Sequence, residues 1–221
     1  PSRPATMFSA SRPREFYCWL HGWNNTHHGS TCKIIGYAST AVTINNSFSQ
    51  AFSNFTWECT SQTISINLLG LLTTINGNFN LASTGTGSLT YNTNSPTTPV
   101  LAIGGNCTIN ASINMNNGTS TPVWTIGGNF NHTGGTISKA GGGVTTITFN
   151  KTSGTQTVSQ SGGSITGALV WNLGNGTTTN TVQFLTNFNA GTAAHTINAA
   201  NNAVVDFQTF TVSGSGTFAA A

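Results

Sequence analysis

The sequence predicts an all-β chain wound as a β-solenoid, a parallel β-helix-like rod, preceded by an N-terminal arm. Three observations carry that expectation. The 221 residues include 39 Thr, 27 Asn and 26 Gly, with only 4% charged residues. Thr suits the pleat because its branched Cβ restricts χ1, and Asn and Gly suit tight turns because they tolerate positive φ. Short stretches alternate apolar and small polar residues, the period of a half-buried strand. Finally, one phrase recurs at intervals of 28 and then 23 residues.

Taken in order, residues 1–40 form the arm. They hold Pro1, Pro4 and Pro13, four of the six basic residues (Arg3, Arg12, Arg14 and Lys33) and a Cys/His/Trp cluster. Residues 41–221 form the β-rich repeat body. Within it, Ala41–Phe48, Gln62–Asn67 and Val144–Phe149 read as strands, and Gly and Asn clusters such as Asn76-Gly77, Gly104-Gly105 and Gly127-Gly128 punctuate them. The recurring phrase is Ile-x-Gly-Asn-apolar: Ile75–Phe79, Ile103–Cys107 and Ile126–Phe130. A 20–30-residue unit of two or three short strands is what one solenoid coil requires, since each coil buries an inward apolar row and passes its backbone hydrogen bonds to the next. At roughly 25 residues per coil and ~4.8 Å per coil the body makes about seven coils and a rod roughly 35 Å long. The alternative architecture is a β-sandwich or jelly roll, which shares the alternation and turn density. The uneven repeat spacing is the argument for it.

The stretches Trp124–Asn131, Ile147–Asn150, Gln156–Val158 and Thr209–Gly214 resemble secreted β-solenoid repeat proteins on the surfaces of environmental bacteria, similar to the stalks of large adhesins. The likeness covers roughly residues 70–218. It implies a secreted or cell-surface location, a structural or adhesin-like role and a solenoid fold.

Charge excludes several function classes. The carboxylates are Glu15, Glu58 and Asp206. A glycosidase needs a pair of carboxylates at a set separation, and no context marks Glu15 and Glu58 as such a pair. His195 and Asp206 are candidates for a Ser-His-Asp triad, but no Gly-x-Ser-x-Gly elbow accompanies them. The expectation is no enzyme and no cofactor. A net charge of +3 with no basic stripe argues against nucleic acid as a partner of the body. No apolar run reaches the 18 or more residues of a membrane helix.

The sharpest cluster is Cys18, His21, His27, His28 and Cys32. Cys-x2-His and a closing His-x4-Cys resemble a zinc knuckle of retroelement capsid-type polyproteins, with Arg12, Arg14 and Trp19 suited to single-stranded nucleic acid. The central spacing and His21 in place of a second Cys depart from that pattern, and the plainer reading is a disulfide-closed aromatic loop. Four cysteines, Cys18, Cys32, Cys59 and Cys107, permit three pairings, and the sequence does not choose among them. Cys18–Cys32 closes a short loop and is favoured, Cys59–Cys107 would complete the set, and four free packed thiols are the alternative. Nine sequons stand at Asn24, Asn45, Asn54, Asn106, Asn110, Asn117, Asn131, Asn150 and Asn175, a number the composition explains. They permit glycosylation without indicating it. The aromatics, among them Phe55, Phe79, Phe130, Phe149 and Phe184, read as core. An exposed row of them, with Trp124 and Trp171 first, would instead form a carbohydrate-binding platform.

Together these features point to an extracellular structural subunit that self-assembles into a filament or surface array through β-edges and the arm. An almost uncharged β body lacks the residues that guard strand edges. The alternatives are an adhesin or carbohydrate-binding module, which needs an exposed aromatic row or a polar groove on one face, and a zinc-knuckle segment fused to a β domain.

Overall fold

A computed structural model describes residues 16–19, 31–36, 38, 46–174, 176–177, 179–191, 195–200 and 203–220. The chain is an all-β solenoid of about seven coils, each built from three short strands on three walls. The first wall starts with β1 (Phe16–Trp19) and β2 (Thr31–Ile35). A 3-10 turn (Asn46–Ser49) and β3 (Ala51–Phe52) complete the first, partial coil.

Seven coils follow. They are β4–β6 (Asn54–Glu58, Ser65–Asn67, Thr74–Ile75), β7–β9 (Phe79–Ser83, Ser88–Thr90, Val100–Ile103) and β10–β12 (Cys107–Ile109, Ile113–Asn114, Val123–Ile126). Next come β13–β15 (Phe130–His132, Thr136–Ser138, Thr146–Phe149) and β16–β18 (Gly154–Gln160, Ser164–Ile165, Val170–Leu173). The last two are β19–β21 (Asn180–Phe184, Phe188–Asn189, His195–Ala199) and β22–β24 (Ala203–Asp206, Val212–Ser213, Gly216–Ala220).

The first strand of every coil joins wall A, in the order β1-β2-β4-β7-β10-β13-β16-β19-β22. The third joins wall B, β3-β6-β9-β12-β15-β18-β21-β24, and the second joins wall C, β5-β8-β11-β14-β17, continued by the pair β20-β23. Every pairing along these walls is parallel except β1 with β2. Parallel stacking of non-consecutive strands settles the choice against the sandwich, whose sheets are antiparallel.

The repeat phrase is the register of the solenoid. Ile75, Ile103 and Ile126 stack on wall B, and Phe79, Cys107 and Phe130 stack on wall A. The glycines between them let the corners stack directly. Gly105 N donates to Gly77 O and Gly128 N to Gly105 O, both at 2.8 Å. A Cβ on Gly105 would sit 2.7 Å from the Gly77 carbonyl carbon, closer than real Cβ contacts come.

Uneven coil lengths arise at the corners, where buried amides close the longer loops. Asn92 donates Nδ2 to Pro96 O at 2.8 Å, and Asn116 donates to Ser120 O at 2.6 Å while its Oδ1 accepts from Gly118 N at 3.0 Å. Gln62 accepts from Trp57 Nε1 at 2.9 Å and donates to Ile64 O and Ser88 O at 2.8 Å. Each amide replaces the backbone partners that a loop would otherwise leave unsatisfied inside the rod.

The core is an aromatic and aliphatic column along the axis. Phe55 and Phe79 stack with ring centroids 6.0 Å apart, and Phe79 meets Trp124 edge-on at 5.5 Å. Phe149 and Trp171 stack further along, and Trp171 meets Phe188 edge-on at 5.2 Å. Stacking on successive coils ~4.8 Å apart brings rings of neighbouring coils into contact.

The expected boundary near residue 40 is not where the sheet begins. Parts of the arm, β1 and β2, are the first strands of wall A, and β2 pairs in parallel register with β4. These stretches therefore lie on the chain's own body rather than reaching to a neighbour. Lys33 and Glu58 form an ion pair across that junction at 2.5 Å, exposed on the outer face.

Candidate interaction surface

The outer face of wall A carries a side-chain ladder. Asn78 N donates to Asn54 Oδ1 at 2.9 Å, and Asn106 N to Asn78 Oδ1 and Asn129 N to Asn106 Oδ1, each at 2.8 Å. Thr157 N closes the series on Asn129 Oδ1 at 3.0 Å. The offsets along this ladder are 24, 28, 23 and 28 residues, so each amide serves the next coil. Asn is required because its short side chain reaches the backbone N–H one rung away, just before the strand ladder starts. Three of these residues are the Asn of the repeat phrase. Beside them lies a groove of about 460 Å³ lined by Thr31, Thr56, Asn80 and Thr108, uncharged and rich in hydroxyl and amide groups.

The last coil forms the other surface. Wall A ends at β22 and wall B at β24. Val204 on β22 is 54% exposed and Phe218 on β24 is 52% exposed. Phe218 stands in register with buried Ile197 and touches Phe207 with centroids 5.9 Å apart. It is thus a core-facing residue of the last described layer. A groove of about 460 Å³ opens beside it, lined by Ile197, Phe207, Phe210 and Val212.

The candidate chemistry from the sequence resolves residue by residue. Cys18 lies directly opposite Cys32 in the β1–β2 register, and Cys32 is buried in the core above Phe55. Directly opposed residues of an antiparallel pair have Cα atoms ~4.5–5.5 Å apart, within disulfide range. The side chain of Cys18, together with His21, His27 and His28, falls outside the described residues, as do Glu15, Arg12 and Arg14. Among the described residues no group of three or more His, Cys, Asp or Glu is placed to hold a metal.

The pairing of Cys59 with Cys107 is a correction. Cys107 sits two coils beyond Phe55, and Cys59 lies four residues past Phe55 at the far corner, where its Sγ donates to Ile34 O at 3.7 Å. At the spacings of a parallel sheet they are about 16 Å apart, beyond the reach of a disulfide. Cys107 is a buried thiol, and burial pushes it far above the usual thiol range.

Trp124 and Trp171 are each 1% exposed, so they stand in the core as the other aromatics were read to do, and the alternative of a carbohydrate platform built on them is removed. His195 and Asp206 do not meet as a triad. His195 points inward from wall B and accepts at Nδ1 from Leu169 N at 3.2 Å. Asp206 lies on wall A with Oδ2 accepting from Gln183 Nε2 at 2.8 Å and Oδ1 from Gln208 N at 2.9 Å. These bonds, the Gln183 side chain first, hold its carboxyl below the usual carboxylate range. Of the sequons, Asn106, Asn110 and Asn117 are exposed, Asn54, Asn131 and Asn150 are half-buried, and Asn24, Asn45 and Asn175 lie outside the described residues.

Sequence reading missed His132 and the burial of His195. His132 and His195 are 0% and 2% exposed, and burial lowers the pKa of both. His132 occupies an inward position above Ile109, and its Nδ1 lies 3.5 Å from Gln160 Nε2. Its place in the alternation, two residues after Phe130, was the signal that it faces inward. Among the described residues no helix is long and apolar enough to cross a membrane. Comparison with known proteins finds no matching family model, curated protein or solved structure.

Proposed function

We propose that this chain is an extracellular structural unit that self-associates through β-edges into a filament or surface array. One observation carries the reading: about seven coils stack as parallel sheets whose charged side chains, among the described residues, are Lys33, Glu58, Lys139, Lys151 and Asp206 alone. A flat, apolar, nearly uncharged edge is a template for another chain. The resemblance to secreted repeat proteins supports the location, and an oxidising compartment suits the opposed Cys18 and Cys32. Contact through the arm is not part of this proposal, because β1 and β2 pair within the chain's own wall A. Negative-stain microscopy and light scattering across a concentration series test it. Higher-order species that grow with concentration are expected, and a strict monomer at every concentration overturns the proposal.

The groove beside the Asn ladder favours a second reading, an adhesin surface for neutral glycans. It predicts glycan-array signals that Asn80→Lys removes, and an array without signal dismisses it.

A further inference from the structure

We propose that the outer face of wall B is an ice-binding face, a neutral net of small side chains whose ligand is the surface of crystalline water. This function stands apart from self-association and does not depend on it.

Parallel register turns the outer face of wall B into columns. Val100, Val123, Thr146 and Val170 stand one above another on β9, β12, β15 and β18. Two residues further along the same strands run Ala102, Thr125, Thr148 and Asn172. Thr74 on β6 and Asn198 on β21 extend that second column. Between the columns, Leu101, Trp124, Ile147 and Trp171 point inward and are buried. Alternation therefore sends both columns outward from a packed, rigid backing.

Coils repeat at ~4.8 Å and alternate residues of a strand at about 6.6 Å, so the columns make a net with two fixed spacings. Both lie close to the repeats of the prism face of hexagonal ice. Val, Ala and Thr present methyl groups to this net, and Thr and Asn add groups that hydrogen-bond water. The second column is ordered before any ligand arrives. Asn172 donates Nδ2 to Thr148 Oγ1 at 3.4 Å, and Asn198 donates Nδ2 to Asn172 Oδ1 at 2.9 Å. Side chains fixed in advance lose little freedom on binding.

Charge and area select the ligand. Among the described residues, no charged side chain stands in either column. Lys33 and Glu58 pair on wall A, where Asp206 also lies, and Lys139 follows β14 of wall C. Lys151 sits at the corner after β15 and donates Nζ to Thr155 O at 2.6 Å. Its loop, 150–153, stands beside Ala102 and Thr125 and bounds the face on that side. A neutral face suits a neutral lattice and offers nothing to an ionic partner. Four residues of strand on each of six coils cover about 400 Å², half of the roughly 800 Å² per partner in a stable protein interface. A second copy therefore gains too little here. The columns hold no aromatic ring, so the sugar rings of a polysaccharide have nothing to stack on. A crystal lattice needs neither, because each rung repeats the same contact.

The test is partition into slowly grown ice, using the full 221-residue chain with protein in ice and liquid quantified by absorbance. The parent chain is expected in the ice at a concentration equal to or above that of the liquid, whereas a non-binding control protein is excluded. Thr125→Lys/Thr148→Lys sets two charges on the net and should be excluded like the control. Thr125→Tyr/Thr148→Tyr should be excluded through bulk alone, and Tyr suits a strand. Urea denaturation shows that each variant is folded. Thr181→Lys, on the outer face of wall A, should partition as the parent does. Exclusion of the parent from ice overturns the proposal, whether or not the chain is retained on crystalline cellulose or chitin. So does ice uptake that survives in both folded double variants.

Discussion

Acid should weaken this rod through its two buried imidazoles, and the size of the effect follows from their burial. His132 and His195 are held neutral inside the solenoid, with pKa values below the ordinary 6.5 because burial penalises the charged form. The unfolded chain binds a proton at each near pH 6.5, whereas the native chain does not until lower pH. Stability is therefore complete above the unfolded value and falls as the pH drops toward the folded value. One pKa unit is worth about 1.4 kcal/mol, so from pH 7 to pH 5 each imidazole that stays neutral removes about 2 kcal/mol, and the pair up to about 4 kcal/mol. Asp206, whose carboxyl is held low, adds its own loss only in the more acidic carboxylate range. Urea denaturation at pH 7 and pH 5 measures the difference. His132→Gln/His195→Gln should flatten it, since Gln160 already occupies the next inward position beside His132. Equal pH dependence in the parent and the double variant would refute the reasoning.

Other outcomes follow from the packing. Trp124→Ala, in a fully buried position between Phe79 and Tyr91, should cost about 3–5 kcal/mol in chemical denaturation. Gly105→Ala should cost about 1–3 kcal/mol, because its Cβ would drive into Gly77, and a neutral result would show that the corner has slack. Asn106→Ala removes one rung of the ladder and should cost about 1 kcal/mol, measured by the same denaturation. Iodoacetamide should leave Cys107 unlabelled in the native chain and label it in urea, read by peptide mass mapping, because only an accessible thiolate reacts.

The recurrence of Ile-x-Gly-Asn-apolar was legible because a solenoid repeats one local geometry. The same backbone corner demands the same Gly and Asn, so offsets of 28 and 23 residues in the sequence reappear as ladder bonds from Asn78 to Asn106 and on to Asn129. The buried aromatics were legible from alternation alone. Trp124 illustrates the limit, since alternation places it on one face of a strand without saying whether that face is core or platform. The ladder and the stacking of Phe218 on Ile197 were not legible. Each joins residues a whole coil apart, and the uneven corner loops hide which residues share a column.

By itself, then, the sequence determined strands, turns, an apolar interior and a near-absence of charge, all of which are local or compositional properties. The tertiary structure decided that strands pair in parallel with the next coil, that β1 and β2 fold onto wall A, and that Phe218 stacks in register on Ile197. Those outcomes depend on stacking register, and register is set by contacts between coils rather than by any one segment.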